Sequence, residues 1–78
     1  MKEFTICDYK CNKKIVKLDL SKISVIMKYV FSGDETLEVF YKNGDKHWIN
    51  SFGIVTTDIG ILDIFDDSEL VYSADMEV

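Results

Sequence analysis

The chain has no proline and no arginine, one histidine, one tryptophan, two cysteines and four glycines among its 78 residues. Each scarcity excludes something. Without arginine the side chain best suited to bidentate phosphate or guanine contacts is missing, and fourteen acids against nine lysines give a formal charge of −5, so direct nucleic-acid binding is disfavoured. No long uninterrupted apolar run occurs, and Met1-Lys2-Glu3-Phe4 leads into Asp8 and Lys10 rather than into the apolar core of a signal peptide. The sequence therefore predicts a soluble, cytoplasmic protein with no membrane partner. Cys7 and Cys11 would stand about 13 Å apart on a continuous strand, beyond disulfide reach unless the chain turns, so free thiols are expected. Gly33, Gly44, Gly53 and Gly60 are scattered rather than gathered into a phosphate cradle, which leaves nucleotide binding without support.

Hydrophobic residues make up 47% and aromatics 13%, enough for a core, and the length fits one small domain over residues 1–78. A chain this short hides only about 63% of its unfolded surface on folding, so a deep enclosed active site is disfavoured. The most informative feature is the segregation of charge. Residues 1–48 hold all nine lysines and seven acids, a net +2, whereas residues 49–78 hold seven acids and no lysine, a net −7. Such asymmetry inside one domain points to an interaction surface or an acidic tail.

No repeat, low-complexity tract or linker divides the chain. Residues 3–9 alternate, Lys10-Cys11-Asn12-Lys13 interrupts like a turn, and 14–20 place Val16, Leu18 and Leu20 on one face, which predicts a first hairpin. Residues 23–32 form a long strand, with Ile23, Val25, Met27, Tyr29 and Phe31 on one face and Ile26 and Val30 on the other. Ser32-Gly33-Asp34-Glu35 is turn chemistry, and Asn43-Gly44 is the dipeptide of a two-residue type I′ hairpin turn. A two-residue turn there pairs Val39 with Trp48 and puts Leu37, Val39, Tyr41 and Trp48 on one apolar face. The long strand's apolar face joins them only if the 31–37 connection has odd parity, and a three-residue loop with a bulge is the expected form. Thr56-Thr57-Asp58 can begin a short helix over 57–66 that closes the concave face, with a strand as the alternative because Gly60 lies inside and the Ile-rich 59–64 stretch has good β propensity, and 69–73 returns as a strand. The expected fold is α+β: a mainly antiparallel five-stranded meander or small half-barrel with one short C-terminal helix. It leaves a strip of Ile26, Val30, Phe40 and Ile49 uncovered, while Trp48 is a core residue.

No motif specifies a reaction. His47 has no orienting partner in the sequence, so no catalytic set is assembled and a non-enzymatic role is expected. Cys7 and Cys11 have a spacing compatible with half of a structural zinc site, but the second pair of ligands is missing. Asp63, Asp66, Asp67 and Glu69 lack the glycine and alternating spacing of an EF-hand loop. Neither a metal nor another cofactor is expected. Lys10, Lys13, Lys14 and Lys17 make a modest basic patch on the first hairpin, suited to steering an acidic partner.

These features together predict a small acidic protein–protein interaction module, an inhibitor or adaptor that presents carboxylates to a protein partner with a basic surface. The expected partner-binding residues are Asp58, Asp63, Asp66, Asp67, Glu69 and Asp75, with Phe40, His47 and Ile49 as anchors on the uncovered sheet face. In size, acidity and absence of motifs the chain resembles phage-encoded anti-defence and anti-restriction proteins, a likeness of composition that covers no aligned motif and that implies nucleic-acid mimicry. The alternative is a self-assembling structural subunit, a homo-oligomer in which the basic hairpin of one copy meets the acidic end of another.

Overall fold

The computed structural model describes residues 1–53, 55–57 and 67–76. Strands β1 (Lys2–Cys7) and β2 (Lys13–Leu18) form a separate antiparallel hairpin. Strands β3 (Ile23–Phe31), β4 (Asp34–Tyr41), β5 (Lys46–Asn50), β6 (Val55–Thr56) and β7 (Asp67–Ser73) form a five-stranded sheet in the order β6-β5-β4-β3-β7. Strands β3 to β6 are a meander, whereas β7 crosses to the far side of β3. Among the described residues the structure is mostly antiparallel β. Among those residues the only helical pieces are two 3-10 turns, Leu20–Lys22 and Ala74–Met76. The helix expected over 57–66 falls, except for Thr57, outside the described residues. The apolar face of the large sheet is covered by the β1–β2 hairpin.

The first hairpin follows its sequence. Phe4 and Ile6 share a face with Val16 and Leu18, because Phe4 pairs with Val16 and Lys2 with Leu18. Its turn is built around Asp8. The Asp8 Oδ1 accepts from the Lys10 amide at 2.8 Å and the Asn12 amide at 2.9 Å, and Cys11 takes the left-handed region at φ 64°. The Asn12 amide, helped by the side-chain amide of Asn12 and by Lys10, holds the Asp8 carboxyl below its ordinary pKa.

Both later hairpins carry the opposite turn from the one their sequences predict. Ser32 and Gly33 have φ of 50° and 84°, and Phe31 pairs directly with Asp34, so this connection is a two-residue turn of type I′ character rather than a three-residue loop. At the second site only Gly44 has positive φ, at 97°. The Gly44 amide bonds the Tyr41 carbonyl at 3.1 Å and the Tyr41 amide bonds the Asp45 carbonyl at 2.9 Å, which leaves a three-residue loop, Lys42-Asn43-Gly44. Asn43 stays at negative φ because its side chain ties down the following turn. Its Oδ1 accepts from the Asp45 amide at 2.9 Å and its Nδ2 donates to the Asp45 carboxylate at 3.0 Å.

A one-residue change in a turn flips every side chain of the strand beyond it. Trp48 therefore pairs with Glu38, and Val39 with His47. On β3, Ile26 pairs with Val39. A bulge at Ser24, whose hydroxyl donates to the Phe40 carbonyl at 3.1 Å, also returns Ile23 to that side. The core is Ile6, Val16 and Leu18 of the hairpin against Ile23, Ile26, Leu37, Val39 and Ile49 of the sheet, with Phe4, Leu20, Tyr41, Val71 and Tyr72 at its margin. The apolar strip expected on the uncovered face is thus corrected. Ile26 and Ile49 are buried, and Phe40 projects to the opposite side, with Trp48.

Candidate interaction surface

Among the described residues β7 is an edge strand that pairs only with β3, matching Lys28 with Glu69 and Val30 with Asp67. Asp67, Ser68, Glu69 and Leu70 are all exposed, while Val71 and Tyr72 turn half-buried as they reach the core. Exposed Asp75 follows in the terminal 3-10 turn, its amide donating to the Ser73 hydroxyl at 3.3 Å. Lys28, the cation nearest to Glu69 by register, is held by the Glu35 carboxylate at 3.0 Å. Among the described residues none of Asp67, Glu69 and Asp75 is in an ion pair. The backbone thus sets two of the six predicted carboxylates, Asp67 and Glu69, on the edge strand, with Asp75 in the 3-10 turn that follows it; Asp58, Asp63 and Asp66 lie outside the described residues.

The three predicted anchors do not share a face. Ile49 is 8% exposed and belongs to the core. His47 is on the same side of β5, half-buried edge-on against Tyr41, with ring centroids 5.2 Å apart and Nδ1 3.4 Å from the Tyr41 hydroxyl. Phe40 lies on the reverse side, 6.0 Å from the Lys46 ammonium. No patch contains all three.

A cluster on that reverse face escaped the sequence reading. Glu38 is only 3% exposed; its Oε1 accepts from the Tyr29 hydroxyl at 2.9 Å and its Oε2 lies 3.5 Å from the Lys46 ammonium. Trp48, 1% exposed, packs on Tyr29 at 5.3 Å between centroids and lies 5.8 Å from the Lys46 ammonium. Burial, together with the hydrogen bond to Glu38 and its charge, pushes the Tyr29 hydroxyl up to about 12. The available signal was Glu38 itself, an acid set between Leu37 and Val39 in the apolar stretch of β4. The Tyr29 hydroxyl and the Lys46 ammonium together satisfy the buried Glu38 carboxylate.

A second pair of acids pins the two layers together. The Glu35 Oε1 accepts from the Cys7 amide at 2.6 Å, and the Asp34 Oδ1 accepts from the Tyr9 amide at 2.9 Å. Desolvation opposes the Glu35 charge, but the hydrogen bonds from Lys28 and Cys7 outweigh it and hold its pKa below the ordinary value.

Lys13, Lys14 and Lys17 stand exposed along β2, which pairs only with β1 among the described residues. Cys7 is half-buried, Cys11 is exposed, and both are free thiols. A groove of about 300 Å³ is lined by Ser21, Lys22, Tyr41, Lys42 and Asn43. Among the described residues no group of His, Cys, Asp and Glu could hold a metal ion, and no helix is long and apolar enough to cross a membrane. Comparison with protein-family models, curated proteins and solved structures finds no match.

Proposed function

We propose that the protein is a small interaction module that offers the acidic β7 edge to a basic surface on a protein partner, as an inhibitor or adaptor. The observation that carries this reading is the exposed run from Asp67 to Leu70 on an edge strand, with carboxylates free of ion pairs among the described residues. An edge strand offers unpaired backbone amides and carbonyls to an incoming segment, and its carboxylates select which segments approach. The net −7 of residues 49–78 extends the same sign beyond the strand and favours fast, salt-sensitive encounter with a cationic partner. Phage-type anti-defence action by nucleic-acid mimicry would be one use of such an edge.

The test is capture from cells of the source organism by wild type and by the D67N/E69Q/D75N variant, both checked for equal melting temperature. The variant is expected to lose the partners that wild type releases at raised salt. An unchanged captured set would overturn the proposal.

A further inference from the structure

We infer that the β7 edge pairs with the β2 edge of a second copy of this chain, joining copies head to tail. The inference rests on reading β7 as an interaction edge and names a partner for it. The two edges are complementary. β2 presents Lys13, Ile15 and Lys17 on its outer face, with Ile15 57% exposed, and β7 presents Asp67 and Glu69 with Leu70 48% exposed beside them. Among the described residues neither outer edge is paired. In an antiparallel register with Lys17 opposite Asp67, Glu69 falls opposite Ile15, within diagonal reach of both Lys13 and Lys17. The same charges oppose the two symmetric alternatives: β2 on β2 sets lysine against lysine, and β7 on β7 sets carboxylate against carboxylate. Only the unlike pairing satisfies both edges. Because the two surfaces differ, successive contacts lead either to a closed ring, of which a reciprocal two-fold pair is the smallest, or to an open chain.

The experiment measures mass by sedimentation and light scattering across protein concentration and salt, using wild type, K13E/K17E, D67K/E69K and an equimolar mixture of the two variants. Circular dichroism melts verify that each is folded. Wild type is expected to gain mass with concentration and to lose that gain at high salt. Each variant alone should associate about tenfold or more weakly. The mixture should recover association, since an all-acidic copy then meets an all-basic one. A wild type that stays monomeric at low salt, or variants that associate as wild type does, would overturn the inference. The two readings fail separately. A monomeric protein whose capture of a basic partner is lost in D67N/E69Q/D75N refutes self-pairing alone, whereas edge-dependent association with capture unchanged refutes only the capture of another protein.

Discussion

Replacing Trp48 by alanine tests the register on which the core and the reverse-face cluster both depend. The indole is 1% exposed, and truncating a buried aromatic costs about 3–5 kcal/mol. Within that figure, the ring contact with Tyr29 at 5.3 Å accounts for about 0.5–1.5 kcal/mol. For a 78-residue domain, total stability is roughly 4–12 kcal/mol, so the substitution should remove between about a quarter and all of it. His47 precedes it, points the other way, is half-buried and makes only a 3.4 Å contact with Tyr41, so His47→Ala should cost about 1 kcal/mol. Urea unfolding followed by far-ultraviolet circular dichroism reads both, with Trp48→Phe as a milder variant if alanine does not fold. A Trp48→Ala loss below about 1 kcal/mol would refute the burial. A double-mutant cycle reads the register directly. Tyr29 and Trp48 should couple by about 0.5–1.5 kcal/mol, and Val39 and Trp48 by almost nothing. The reverse result would place Trp48 on the Leu37–Val39 side and refute the three-residue turn.

Gly44→Ala and Gly33→Ala both place a side chain at positive φ, but an added Cβ at 44 meets no heavy atom within 4 Å, whereas at 33 it lies 3.2 Å from the Tyr9 Cα. The first should cost about 1–2 kcal/mol from backbone strain, the second about 1 kcal/mol more because the Asp34-held β1–β2 turn must shift; equal losses in urea would refute that close docking. Stability should fall at both ends of the pH scale. The depressed Glu35 pKa contributes stability that is present above the unfolded value of 4.5 and is lost as pH falls through the folded value. The raised Tyr29 pKa contributes stability present below 10 and lost as pH climbs toward about 12. Glu35→Gln should flatten the acid limb and Tyr29→Phe the alkaline limb of a plot of unfolding free energy against pH; limbs unchanged by these substitutions would remove both assignments.

By itself the sequence determined most of the strands, though not β6, and the charge. The period-two patterns of 3–9, 14–20 and 23–32 mark β1, β2 and β3 because alternation depends only on the pleat of the strand itself. The separation of lysines from the C-terminal acids is likewise a property of order along the chain, and the fold places two of those acids, Asp67 and Glu69, on the edge strand β7. What only the tertiary structure decided is which face of each strand looks inward. That choice hung on two turns whose local signals favoured the wrong lengths. Asn43 used its side chain to bond Asp45 instead of taking positive φ, and Ser32, a residue with little preference for that region, took it beside Gly33. Each turn changed parity by one residue, so β3 and β5 both turned over relative to β4. Ile26 and Ile49 went into the core beneath the β1–β2 hairpin, Trp48 went to the reverse face, and His47 parted from Phe40. Burying Ile23, Ile26 and Ile49 under Ile6, Val16 and Leu18 removes apolar area worth about 1.5–3 kcal/mol per side chain, more than a turn's intrinsic preference of about 1 kcal/mol. The packing of two layers therefore overruled the local turn code, and no pattern within a single strand carries that information.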